Sequence, residues 1–284
     1  IFASNLSSMI SAGLTLSRSL EVLERQTSHK YFKSVIKDLL QKVIAGESFN
    51  QALNSYPNVF PPVFSAMVGA GEESGNLPNS LAIIKDQMGK TYELHRKIIG
   101  AMIYPAVIVL LIIVIGILMM IFMVPTLSAT FKDLNVDLPL STRMIIGLSD
   151  FLKNHYVIFL VGVALVGAIF STWIKTAKGK RSLDWSILRL PVFGNLVREY
   201  NSAVIMRTIS SLITAGVSMT ESIEITGKVV QNSFYKPVMT EAAADIQKGI
   251  LLSAVFEHQD KLFPIFVAEL AEVGEETGNL PQML

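Results

Sequence analysis

The sequence contains one eight-residue motif twice. Residues 71–78 read Gly-Glu-Glu-Ser-Gly-Asn-Leu-Pro, and residues 274–281 read the same with Thr in place of Ser, at an offset of 203 residues. That offset also aligns residues 1–81 with residues 204–284 without a gap. The chain therefore holds two copies of one unit, separated by a different middle segment.

The middle segment contains two long apolar stretches. Gly100 to Val124 and Tyr156 to Ile174 hold no charged residue, and each is long enough to cross a bilayer as a helix. We therefore predict an all-α membrane protein with two duplicated cytoplasmic helical bundles joined to transmembrane helices. The predicted segments are a first bundle repeat at 1–97, a transmembrane helix at 98–125, an extracytoplasmic loop at 126–155, a second transmembrane helix at 156–174, and a second repeat at 175–284 that is truncated before a third span.

The basic residues flank the two spans on one side only. Before the first span and after the second lie Lys85, Lys90, Arg96, Lys97, Lys175, Lys178, Lys180 and Arg181. In the loop between the spans, each Lys or Arg is offset by a nearby Asp. The positive-inside rule thus places both repeats in the cytoplasm and the loop outside.

The pattern within each repeat is helical. Apolar residues recur at helical spacing and no segment alternates long enough for a strand, so each repeat is predicted to be a bundle of about six helices. Pro105 is a candidate kink in the first span. Within the loop, Ser141 to Lys153 predicts a capped helix that either lies on the outer membrane face or packs on its own spans.

The sequence lacks the residue patterns that most kinds of catalysis and ligand binding require. The sequence has no cysteine and no phosphate-binding loop, its four histidines are scattered, and neither span carries a charge. The formal net charge of +1 does not favour nucleic acid as a partner. We therefore expect neither an enzyme, nor a cofactor, nor a nucleic-acid-binding protein.

The repeated motif has one part that local structure explains and one that it does not. Glycines that end helices, asparagines that cap the next helix and prolines in a first helical turn account for its structural residues, together with the turn glycines of each repeat. These residues are Gly13, Gly71, Gly75, Asn76, Pro78, Gly216, Gly274, Gly278, Asn279 and Pro281.

Local structure does not explain the glutamates Glu72, Glu73, Glu275 and Glu276. They lie in the last turn of a helix, where the helix dipole disfavours negative charge by about 0.3–1 kcal/mol. Three partners would offset that cost: an internal Lys or Arg, a basic partner protein, or a cation such as Ca²⁺ held by Glu72 and Glu73. We take the four glutamates as candidate partner-binding residues and predict no metal site beyond that cation alternative.

Together, these motifs resemble the inner-membrane platform proteins of type II secretion and type IV pilus machines. The resemblance rests on the duplicated acidic motif, the paired Ala-Gly turns, the Tyr-Pro that opens the first span, and a run in the second repeat that leads to two further residue pairs. Apart from the acidic motif, these lie at Ala12-Gly13, Ala215-Gly216, Tyr104-Pro105, Leu190-Pro191-Val192-Phe193-Gly194, Arg207-Thr208 and Ser211-Leu212.

The resemblance implies a function that composition cannot show. Platform proteins are multi-pass proteins of the bacterial inner membrane and are not enzymes. They contact a cytoplasmic assembly ATPase and help to move pilins or pseudopilins into a filament, with other inner-membrane assembly proteins and further copies of themselves as partners. The alternative function is that of a membrane scaffold or transporter subunit acting on small solutes, for which the uncharged spans offer no polar path.

Overall fold

The computed structural model describes residues 2–133, 139–191 and 193–284. Every regular element in these ranges is a helix, and they contain no strand. The first repeat comprises α1 (Phe2–Ser11), α2 (Leu16–Gln26), α3 (Lys30–Ile44), α4 (Phe49–Asn54), α5 (Pro62–Glu73) and the start of α6 (Leu77–Leu118). The middle segment continues with a π-helical turn (Met119–Met123), α7 (Val124–Asp133), α8 (Leu140–Asn154) and α9 (Tyr156–Lys175). The remaining helices are α10 (Ala177–Arg189), α11 (Phe193–Thr214), α12 (Met219–Val229), α13 (Tyr235–Gln247), α14 (Leu252–Glu257), α15 (Ile265–Glu276) and α16 (Leu280–Met283).

The helices of the two repeats begin and end at matching positions. Shifting both bounds of α2, α4 and α5 by the repeat offset gives the bounds of α12, α14 and α15, and the same shift takes the start of α6 to the start of α16. The caps follow the same offset. Thr15 accepts a hydrogen bond from the Arg18 amide, and Ser218 accepts one from the Glu221 amide. Local sequence therefore specifies the same helix starts in both copies.

Glycines with positive φ end three helices of each repeat. Gly13, Gly46 and Gly75 have φ values of 90°, 91° and 69°, and their equivalents in the second repeat have values between 65° and 95°. At each of them the next residue's amide returns to a carbonyl five residues earlier, as in the bond from Leu14 N to Met9 O. These Schellman ends reverse the chain sharply, so consecutive helices lie against each other.

The described chain divides into two compact units. One is formed by the residues up to Tyr92 together with Arg181–Leu284, and the other by Glu93–Lys180. The first unit therefore contains both repeats, and they share an apolar cluster. Its members from the second repeat are Leu212, Ala215, Val217 and Ile225, which pack with the core of the first repeat.

A buried glutamine also joins the two repeats. The Gln87 side chain donates to Thr208 Oγ1 at 3.4 Å and accepts a hydrogen bond from Ser211 Oγ at 2.9 Å. Because both polar atoms of the amide are satisfied, Gln87 can be buried between the repeats without a large desolvation cost.

Within the second unit, α8 packs on its own neighbours. It contacts the π-helical turn, α7 and α9, and the Ser149 hydroxyl donates to the Met120 carbonyl. This packing favours the connector role for the helix predicted between the spans. Of the predicted loop, residues 134–138 lie outside the described residues.

One local prediction in the middle segment was wrong in detail. Helix α8 begins at Leu140 after Pro139, so Ser141 lies inside the helix and not at its N-cap position. Helix boundaries can differ by one or two residues from those that apolar periodicity indicates. Pro105 lies inside α6, where a kink stays a prediction, and an irregular turn follows at Met119–Met123.

We predict that the second repeat loses stability at alkaline pH through Tyr235. Its ring is fully buried, its hydroxyl donates to Leu262 O at 2.5 Å, and burial raises the pKa of Tyr235 far above its ordinary value of about 10. The folded state therefore holds the proton more tightly than the unfolded state, and the stabilisation is lost as pH rises above about 10.

Thermal melts of the parent and Tyr235→Phe between pH 7 and 11 test this. The variant should be about 1 kcal/mol less stable at pH 7, and its melting temperature should fall less between pH 9 and 11. The first repeat already carries Phe32 at the equivalent position, so a phenylalanine fits this fold. Equal alkaline losses in the two proteins would contradict the prediction.

Candidate functional site

The repeated motif lies where α5 turns into α6, and again where α15 turns into α16. At the crossing, a Cβ atom added to Gly71 would lie 2.5 Å from Ser80 Oγ, and one added to Gly274 would lie 2.9 Å from the Leu280 Cα. Only a glycine lets the two helices approach this closely. The first residue of the motif thus fixes the helix crossing.

The motif glycines Gly75 and Gly278 close the turn. The Asn76 amide donates to Gly71 O at 2.8 Å, and the Gly75 amide donates to Glu72 O at 3.2 Å. The second copy repeats both bonds at the equivalent positions, at 2.9 and 3.3 Å. The backbone between the two helices therefore has the same geometry in both copies.

The Glu72 side chain binds the N-terminus of a neighbouring helix. Its two carboxylate oxygens accept hydrogen bonds from the amides of Phe49 at 2.7 Å and Asn50 at 2.8 Å, in the first turn of α4. These amides have no acceptor within their own helix, and the positive end of the helix dipole favours an anion there. Glu72 is half-buried, which strengthens such charge-assisted bonds.

Glu275 makes the equivalent contacts in the second repeat. Its carboxylate accepts hydrogen bonds from the amides of Leu252 at 2.6 Å and Ser253 at 3.2 Å, and from the Ser253 hydroxyl at 2.6 Å. The first repeat has the capping Ser48 before α4, whereas the second has Leu251, which offers no side-chain cap. Glu275 therefore provides more of the capping of its short helix than Glu72 does.

These contacts reveal an unexpected partner for the first glutamate of each motif. The partners expected from the sequence were a Lys or Arg, a basic protein and a cation, but the structure supplies backbone amides. The cost of placing a carboxylate at the C-terminus of α5 is offset because the same carboxylate lies at the N-terminus of α4. The available signal in the sequence was the constant spacing of 23 residues between each glutamate and the start of a short helix.

The second glutamate of each motif is in a different environment. Glu73 and Glu276 are exposed, and no ion pair is formed by either with the residues that the structure describes. In the same ranges, no group of three or more His, Asp or Glu side chains lies close enough to hold a metal ion. The structure therefore separates the four candidate residues into an inward pair and an outward pair.

The asparagine of the second motif differs from the expected cap. The Asn279 side chain makes no capping hydrogen bond and donates instead to Gln282 Oε1 at 2.8 Å.

The carbonyl of each motif proline accepts a hydrogen bond from a distant serine. The Pro78 carbonyl accepts a hydrogen bond from Ser7 Oγ at 3.0 Å, and the Pro281 carbonyl accepts one from Ser210 Oγ at 2.5 Å. These serines were not predicted from the sequence, because they lie 71 residues from the prolines and nothing local connects the two positions.

The family model for the type II secretion system protein F matches residues 2–125 and 205–284. The chain belongs to this family. The starts of the two matched segments, at residues 2 and 205, are separated by the same offset that relates the two motifs. Members of this family are structural platform proteins and not enzymes.

Relatives with two different names align with almost the entire chain. It is 35% identical over 285 residues to the type IV pilus assembly protein PilC of Thermus thermophilus, covering 100% of this chain and 70% of that protein. It is 30% identical over 279 residues to the type II secretion system protein F of Aeromonas hydrophila, covering 98% and 72%. A PilC of Pseudomonas aeruginosa is 28% identical over 285 residues, covering 100% and 76%.

We predict that the inward glutamates stabilise the fold. Glu72→Gln and Glu275→Gln each replace one of two acceptor oxygens with an amide group that cannot accept, so each should lower the free energy of unfolding by about 1–3 kcal/mol. Glu275→Gln should have the larger effect because its short helix lacks a serine cap. Thermal melts measure both, with Glu73→Gln and Glu276→Gln as matched controls that should melt within about 0.5 kcal/mol of the parent. A control that loses as much stability as its inward neighbour would contradict this division of roles.

Proposed function

We propose that the chain is an inner-membrane platform protein of a type IV pilus or type II secretion machine. In this role it couples a cytoplasmic assembly ATPase to the assembly of pilins or pseudopilins into a filament. The observation that carries the proposal is the family match in both repeats, together with pilus and secretion relatives aligned over 98–100% of the chain. The platform itself needs no catalytic group, because the nucleotide chemistry belongs to the ATPase.

Membrane insertion is supported by two exposed apolar helices. The helical stretches Leu77–Ser128 and Val157–Lys175 each contain an 18-residue window that is apolar enough to cross a bilayer, and neither window is buried by protein. Apolar surface of this extent is stable only against lipid or another protein. With the distribution of Lys and Arg, this supports a multi-pass arrangement in which both repeats are cytoplasmic.

We also propose that the two repeats are duplicated bundles of about six helices with the same topology. The matching helix bounds, the three pairs of Schellman glycines and the double family match support this proposal. An experimental structure in which the two repeats fail to superpose helix by helix would contradict it.

The outward glutamates are the residues that we propose for partner binding. Glu73 and Glu276 present a carboxylate at the same place on each repeat, next to the inward glutamates that hold the local backbone in position. An exposed carboxylate on a fixed backbone suits a basic surface on the ATPase or another assembly protein. Glu72 and Glu275 contribute to this site by positioning it.

The orientation is testable because the sequence contains no cysteine. Single cysteines at Lys37 and Lys228 report the side of the membrane on which each repeat lies, and one at Asp137 reports the side of the predicted external loop. Asp137 lies outside the described residues. An impermeant thiol reagent applied to cells with a permeabilised outer membrane should label position 137 alone. Labelling of positions 37 or 228, with position 137 protected, would reverse the proposed orientation.

The function is tested by replacing the outward glutamates in the full-length protein. In cells that lack the wild-type gene, Glu73→Lys with Glu276→Lys should abolish filament assembly or secretion and reduce copurification of the ATPase by about tenfold or more. The melting temperature should stay near that of the parent. Glu241→Lys, an exposed change on α13, is the matched control and should retain assembly. Normal assembly by the double variant would exclude these glutamates as the binding site, and normal assembly in cells without the gene would exclude the function.

A further inference from the structure

One face of α5 in the first repeat is covered by the second repeat. Helices α11 and α12 contact α5, and Val63, Ala66 and Ala70 of α5 pack on the cluster that includes Leu212 and Ile225. The side chains of α5 on this face are small and uncharged. The structure thus shows how an α11–α12 surface covers an α5 surface.

The equivalent face of α15 in the second repeat is open. Ile265, Phe266 and Val273 are 76%, 50% and 42% exposed. The last two correspond to Val63 and Ala70, which are half-buried in the first repeat. An α5-type face is therefore available a second time, and the residues that the structure describes do not cover it.

The surface that would cover it is also available a second time. Ala215, Val217 and Ile225 of the second repeat are 6–7% exposed because they lie against the first repeat. Their equivalents in α1, α2 and the turn between them are Ala12, Leu14 and Val22, of which Ala12 is exposed and the other two are half-buried. None of the three belongs to the apolar core of the first repeat.

The charges on the two open faces are complementary. Glu269 and Glu272 of α15 are exposed, and they replace Ala66 and Gly69 of α5. On α2, Arg18 and Arg25 lie four and three residues from Val22 and therefore on its face of the helix. Both form ion pairs with Glu21 of the same helix, so these three side chains together keep a net positive charge. The α5 face and the α11–α12 surface that covers it within the chain lack this charge pattern. In α12, the residues equivalent to Arg18 and Arg25 are Glu221 and Lys228.

We propose that α15 of one molecule docks against the α1–α2 face of a second copy of this chain. The contact repeats between molecules the arrangement that already joins the two repeats within one molecule, and the added charges select the intermolecular partner. Two different faces meet in such a contact, so the assembly is head-to-tail and forms a ring where the rotation closes. A lipid surface does not suit α15, because glutamates are repelled by anionic headgroups.

Charge reversal in the full-length protein tests the contact. Variant A carries Arg18→Glu and Arg25→Glu, and variant B carries Glu269→Lys and Glu272→Lys. Each variant has like charges on both faces, so copurification of two differently tagged copies of A, or of B, should fall about tenfold or more. Copies of A mixed with copies of B restore opposite charges at every contact and should copurify within about threefold of the parent.

Two controls separate this result from misfolding. Lys33→Glu with Lys37→Glu makes the same charge change on the exposed side of α3 and should leave self-association unchanged. A copy with Val22→Cys mixed with a copy carrying Val273→Cys should form an interchain disulfide, whereas either copy alone should not.

The proposal is overturned if the parent does not self-associate, if A and B do not rescue each other while both remain folded, or if the mixed cysteines do not cross-link. These measurements use neither the ATPase nor pilins, and they leave Glu73 and Glu276 unchanged. Their failure is therefore distinguishable from a failure of the proposed function.

Discussion

The bond between a carboxylate and a helix N-terminus fixes the geometry on which each repeat depends. Glu72 holds the first turn of α4, and Glu275 holds the first turn of α14. Each glutamate is also the residue whose carbonyl accepts the amide of the turn glycine at the end of its own helix. One residue therefore joins a short helix, which is marginal on its own, to the turn that directs the next helix.

The motif performs several tasks within a few consecutive positions. Gly71 allows the helices to cross closely, Glu72 binds the neighbouring helix, and Gly75 reverses the chain. Glu73 has no such contact among the described residues, and only its charge and position define it. This division explains why a motif with clear structural tasks also contains an unexplained residue in each copy, and why that residue is the one proposed to meet another protein.

Local features were predictable from the sequence, and long-range ones were not. The cap at Thr15, the proline start at Pro62 and the glycine end at Gly75 follow from the residues themselves. The partner of Glu72 did not follow, because every residue except proline has a backbone amide N–H and only the fold determines which of them lie nearby. The pairing of the repeats was unpredictable for the same reason, since Gln87 meets partners 121 and 124 residues away.

The irregular turn at Met119–Met123 has a rotational consequence. The Val124 amide returns to Met119 O, five residues back, so this turn contains one residue more than an α-helix would need. One residue corresponds to a rotation of about 100°, so the backbone of α7 is rotated about its axis relative to an uninterrupted continuation of α6. The Met120 carbonyl, which takes part in the widened turn, accepts the hydroxyl of Ser149. The extra residue thus determines, through this rotation, which side of α7 faces α8.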